Sequence, residues 1–333
     1  MPKPTFSDYL EFLRQRFKAS QEAVPEPTRR GPNYPYPQVS LLLFFVGMLL
    51  RHKYGAKAQG RWLEEHSNER GLFGLEQIPS RWTLRRRWKK LYPMLQGFLA
   101  WLGDWAEDPD EAFQETALVE DKSLFKAQGP VWHKKDRGAG RIPEGLRTLD
   151  TEATWSKSED HGWVYGYAGH WTTTKAAFPK AVVVETASVS EAQVIARKAP
   201  ALWEKGVHSL TGDNAYCNLP RVRPWAQHGV VLITPALKVS SDSPKGGPYK
   251  AFLAQPEHQA LRRARKTAPE PLFDLVAHLM GAGDPQKPLP VKGRTNVRTG
   301  LALGTLLAQG AMIVNSIWGI PLHNISHMMA VFT

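Results

Sequence analysis

The stretch Thr116-Ala-Leu-Val-Glu-Asp121-Lys-Ser-Leu124 decides the fold class. Thr116 to Glu120 reads as a strand, and Asp121 stands where that strand is expected to end. Upstream the pattern is helical. Downstream, Trp163 to Thr173, Ala181 to Thr186, Val207 to Leu210 and Val230 to Thr234 read as further strands, with helices expected over Glu191 to Lys205 and Leu219 to Gln227. Three strands, then helix, strand, helix, strand and a last helix make an α/β order with a mixed sheet.

Residues 1–112 read as an all-helical block. Thr5 to Val24 is amphipathic, with Ser7 as N-cap, and the Pro-rich stretch from Pro25 to Pro37 ends it as an extended linker. Helical patterns resume at Val39 to Lys53 and Gly60 to His66. Gly71, Gly74 and Pro79 then break the chain before Ser80 caps a helix through Leu91, and Pro93 starts another toward Trp105. The spacing places a candidate helix-turn-helix near residues 71–91. Residues 113–333 form the second expected domain.

The chain carries 43 Lys and Arg against 31 Asp and Glu, a formal net charge of +12, so a polyanion is the expected partner. Nucleic acid outranks membrane. Val39 to Leu50 is too short to cross a bilayer of about 30 Å. Leu301 to Leu322 is long enough but contains Gln309, Asn315, Pro321 and three glycines, which suits a buried helix. The one cysteine, Cys217, allows no internal disulfide or thiolate cluster, and the first thirty residues lack a secretory pattern. A reducing, cytoplasmic setting is expected.

Asp121 and Asp213 each follow an expected strand, where carboxylates face the ligand crevice of an α/β sheet. An ordinary polar strand terminus and an ordinary turn are the stronger readings of each taken alone. Glu270 opens an amphipathic helix, with Asp274 one turn further along; an acid at a helix N-terminus is also simply favourable there. Oxygen-only carboxylate sites favour Mg²⁺ or Mn²⁺, and paired ions suit in-line attack on phosphodiesters. Three basic segments supply anion contacts: Arg81, Arg85, Arg86, Arg87, Lys89 and Lys90; Lys134, Lys135 and Arg137; and Arg262, Arg263, Arg265 and Lys266. A solvated basic helix face accounts for the first of these as readily. H-E-x-x-H, G-x-S-x-G and phosphate-loop patterns are missing, which argues against zinc proteases, serine hydrolases and P-loop ATPases.

Five blocks in order, Ala117 to Leu124 with Gly129 to His133, Asp150 to Lys157, His161 to Tyr167, Leu210 to Tyr216 and Glu270 to Asp274, resemble the DDE transposases of bacterial insertion sequences. The resemblance spans about residues 116–320, and Pro79 to Arg87 resembles the basic helix preceding the catalytic domain in such enzymes. It implies a ribonuclease H-like sheet flanked by helices and a triad in which Asp121, Asp213 and Glu270 hold Mg²⁺ or Mn²⁺. It also implies DNA as substrate, a nucleoid-associated cytoplasmic location, and cleavage at element ends followed by strand transfer. Two positions depart from the pattern. Ala168-Gly169 stands where a basic residue is usual, and Pro269 replaces the aliphatic residue before the Glu, so Asp274 is the substitute third acid.

Two ends processed together imply a homodimer on DNA, with the first helix and Val39 to Lys53 as interface elements. A catalytically inactive DNA-binding descendant is the alternative function. A metal-independent hydrolase using Asp121 and Glu270 as an acid/base pair is a third.

Overall fold

A computed structural model describes residues 4–23, 35–107, 110–146, 148–158, 162–234, 240, 242–244, 246–283 and 287–326. Most of the expected 25–37 linker and the side chain of Lys266 lie outside the described residues. The first part is helical: α1 (Phe6–Ala23), α2 (Gln38–Leu50), α3 (Ala56–Glu65), a 3-10 helix (Ser67–Phe73) and α4 (Arg81–Trp105). The cap of α1 is Thr5, not Ser7: the Thr5 hydroxyl accepts from the Asp8 N–H at 3.2 Å and donates to the Asp8 carboxylate. Ser80 caps α4 by accepting from the Thr83 N–H. The break expected at Pro93 does not occur. Leu84, Trp88, Leu91, Leu95, Phe98, Leu99 and Leu102 bury one continuous face across it, enough to outweigh the cost of about 3 kcal/mol of an interior proline.

Helix-turn-helix geometry does not form near residues 71–91. That motif joins its helices by a turn of about 3–4 residues, whereas residues 66–80 and a 3-10 helix separate α3 from α4.

The second part is β1 (Ala117–Lys126), α5 (Lys134–Gly138), β2 (Thr154–Ser158), β3 (Gly162–Thr173), β4 (Pro179–Thr186), α6 (Glu191–Glu204), β5 (Ser209–Thr211), α7 (Leu219–Ala226), β6 (Val231–Ile233), α8 (Gly247–Leu253), α9 (Pro256–Thr267), α10 (Glu270–Leu279) and α11 (Arg294–Ile317). All six strands join one mixed sheet. Antiparallel pairing runs from β1 to β3 and from β3 to both β4 and β2; β1, β5 and β6 are mutually parallel neighbours. Of these strands β2 escapes a sequence reading, and its partner is the first half of β3.

The boundary at 112/113 marks a change of secondary structure, not a break in packing. One core contains Phe6, Tyr9 and Leu13 of α1, the whole run Leu41 to Val46 of α2, Phe125 and Trp171 of the sheet, and Leu301 to Leu307 of α11. A smaller core under α6 and α7 joins Leu118, Ile195, Leu202, Leu210 and Trp225 on the other face. The apolar faces of α1 and α2 are therefore buried in the chain's own core. Among the described residues only α11 has the length and apolarity to cross a bilayer, and 89 % of its most apolar window is buried inside the protein. Its amide N–H groups are bonded there: Gln309 donates to the carbonyls of Leu99 and Pro179, and Asn315 to those of Leu322 and Asn324.

Trp171 locks the sheet to this core. Its indole N–H donates to Thr305 of α11 at 2.9 Å, its ring packs on Phe273 of α10, and it folds back over Gly169, where a Cβ would lie 2.0 Å from the indole. Gly169 thus has a packing reason. We expect Gly169→Ala to lose roughly 1–3 kcal/mol in urea unfolding, because the indole has to leave its place. Unchanged stability would contradict this packing.

Candidate active site

Asp121 does not end its strand. The strand continues to Lys126 because β3 pairs with it throughout, while pairing with the shorter β5 stops at Val119↔Thr211. Asp121 and Asp213 each lie two residues beyond that last pair, so the two carboxylates emerge side by side at the carboxyl edge of the parallel segment. Asp213 stands in a turn: its Oδ1 accepts from the N–H groups of Ala215 at 2.9 Å and Tyr216 at 3.2 Å. The ordinary turn and the candidate ligand are therefore one structure, since the turn fixes the carboxylate.

Burial pushes the Asp121 carboxyl up to about 6, against the Lys122 N–H and the Arg265 charge that favour ionisation; the neighbouring Asp213 charge adds to the rise. Two adjacent, partly desolvated carboxylates are a donor set that suits a hard divalent cation. The third acid is not with them. Among the described residues no three His, Cys, Asp or Glu side chains gather as a metal site. Glu270 is exposed at the start of α10, one turn before Phe273, whose ring packs on Trp171, the β3 partner of Asp121. Asp274 is also exposed and lines a groove with Ser123 to Lys126, further along β1. The cation nearest the pair is Arg265 of α9, with Nη1 3.5 Å from Asp121 Oδ2.

A buried polar network lies directly beneath. Glu120, His170 and Thr172 have no exposure, and Lys198 of α6 has 6 %. The Lys198 ammonium donates to Glu120 Oε1 at 2.7 Å and to the His170 carbonyl and Thr172 hydroxyl at 3.0 Å each; the Thr172 hydroxyl donates to Glu120 Oε2 at 2.5 Å. His170 Nδ1 and the Tyr216 hydroxyl are 2.6 Å apart, which ties β3 to the turn holding Asp213. Burial, with Lys198, Lys122 and Arg197 around it, holds the His170 imidazole down to about 3, so it is neutral. The sequence carried a signal for this: Glu120 shares a strand face with buried Leu118, and an acid there needs a buried partner.

The basic segments divide. Arg81, Arg85, Arg86, Lys89 and Lys90 are exposed on α4, with Trp82 76 % exposed beside Arg85; Arg87 is half-buried. The loop expected after Asp121 contains α5. There Lys134 sits 3.6 Å from the ring of Trp163, itself 56 % exposed, and Lys135 is exposed. Arg137 donates to the Ala153 carbonyl and lies over Trp132, so it has a structural task. On α9, Arg263 is exposed and Arg262 half-buried, whereas Arg265 turns toward Asp121.

Because the folded chain holds the Asp121 proton more tightly than an unfolded one, ionising this group costs stability. The cost is absent below about pH 3, builds as pH rises from the ordinary carboxylate value toward about 6, and is complete above about pH 7, on the order of 1–3 kcal/mol. Asp121→Asn, measured without metal, is expected to raise Tm near pH 8 and to leave it nearly unchanged near pH 3. An equal effect at both values would contradict the burial argument.

Comparison with protein-family models, with curated proteins and with solved structures gives no match, so the functional reading rests on this geometry.

Proposed function

We propose that this chain is a DNA transposase of the DDE type, cleaving phosphodiesters at the ends of a mobile element and joining those ends to target DNA. The observation that carries the reading is the Asp121–Asp213 pair. Two acids far apart in sequence meet at the carboxyl edge of adjacent parallel strands, where ligands of open α/β sheets sit. The strand arrangement supports a ribonuclease H-like domain: β3 and β4 follow β1 as antiparallel neighbours on one side, and β5 and β6 return parallel on the other.

Asp121 and Asp213 would hold Mg²⁺ or Mn²⁺, with Glu270 as the third acid. When bound, a divalent cation supplies Lewis-acid stabilisation of phosphate charge and makes a water or 3′-hydroxyl a better nucleophile. The chain's own residues do the rest. The Ala215 and Tyr216 N–H groups fix Asp213, and the Lys198 to Glu120 pair holds the β1 backbone next to Asp121. Exposed cations of α4, with Lys134, Lys135, Arg262 and Arg263, would take the phosphate backbone, contacts that orient DNA without reading its sequence. The reaction is attack of water on phosphorus with loss of a 3′-hydroxyl, followed by attack of that hydroxyl on a target phosphodiester.

The separation of Glu270 from the pair favours a second reading, an inactive DNA-binding descendant. Incubation with DNA carrying the element's ends separates the two. We expect Mg²⁺- or Mn²⁺-dependent nicking that falls about a thousandfold or more in Asp121→Asn and in Asp213→Asn. Wild-type-level nicking by either variant would overturn the proposal; salt-sensitive binding with no nicking by the wild type would favour the second reading.

A further inference from the structure

Three arginines of α9 lie within four residues, yet they do different things. Arg263 points to solvent, Arg262 is half-buried, and Arg265 is folded in against the acid pair, its side chain 18 % exposed beside an Asp121 side chain at 25 %. The helix that carries it packs against β1, β5 and β6, the three parallel strands whose carboxyl edge bears the acids. Arg265 is thus placed by the fold at the reacting centre rather than on the outer surface.

Its contact is loose. At 3.5 Å the guanidinium is beyond the range of about 2.7–2.9 Å of a charge-assisted hydrogen bond, and its Nε is buried without a hydrogen-bond partner. A buried donor left unmade is costly, and a chain that wanted a permanent Arg–carboxylate clamp would have the bidentate fork available. What the arrangement does supply is charge: one cation against two adjacent carboxylates, at the place where the third acid does not reach.

We propose that Arg265 is the resting counter-ion of the Asp121–Asp213 pair, and that a divalent cation entering this site must displace it. This rests on the reading of the pair as a cation site. Arg265 and a cation bound at Asp121 would compete for the same carboxylate, and a displaced guanidinium would be free to meet a phosphate brought to the site. A phosphate can accept the bidentate contact that Asp121 does not make. Arg265 therefore couples cation entry to phosphate binding: the charge left over when the cation arrives is met by the substrate.

The test is Mn²⁺ binding to the full chain without DNA, read from the loss of the free-ion EPR signal. Arg265→Gln is expected to bind Mn²⁺ about tenfold more tightly than the wild type, and Arg263→Gln, from the exposed side of the same helix, to bind as the wild type does. Arg265→Leu, which removes the charge but keeps side-chain bulk, gives the same tightening should the glutamine variant fold poorly. Wild-type or weaker affinity in folded Arg265 variants overturns the proposal while leaving the cation site standing. If neither the wild type nor any Arg265 variant binds Mn²⁺, the proposal and the reading beneath it fall together.

Discussion

The ammonium of Lys198, buried under the sheet, joins the two strands that carry and flank Asp121. It donates to Glu120 on β1 and to His170 and Thr172 on β3, and it arrives from α6. Burial works against both charges, pushing Glu120 up and Lys198 down, and only their mutual attraction and the Thr172 hydroxyl offset it. Removing one partner alone would leave an uncompensated charge in the core, a loss of roughly 3–5 kcal/mol. The pair thereby fixes the β1–β3 register one residue below Asp121, and through His170 and Tyr216 it reaches the turn that presents Asp213.

Polarity is layered around this point. Beneath the acid pair all three donors of Lys198 are used and both oxygens of Glu120 are met, while His170 Nε2 is buried without a hydrogen-bond partner. At the level of the pair the balance is open: two carboxylates face one loosely held guanidinium, and Asp121 keeps its proton to about pH 6. The ion pair beneath is satisfied in place, whereas the acid pair above it is under-compensated.

Much of the sheet was legible because its strands are strongly patterned. Trp163 to Thr173 and Ala181 to Thr186 reappear nearly residue for residue. What escaped was set by tertiary context. Local pattern ended β1 at Glu120, but the long pairing with β3 carries it to Lys126. Proline chemistry broke α4 at Pro93, but a buried face running through both halves holds it in one helix. The inward turn of Arg265 within a run of arginines depends on how α9 lies on the sheet, which no spacing encodes. Likewise the helical block reads as a separate domain until its apolar faces are seen packed on α11.

The most direct test of the central claim is anomalous diffraction from crystals of the full chain grown with Mn²⁺. A peak between the carboxylates of Asp121 and Asp213, with the Arg265 guanidinium moved off Asp121, is the predicted result. An empty pair, with Arg265 in place at saturating Mn²⁺, would contradict it.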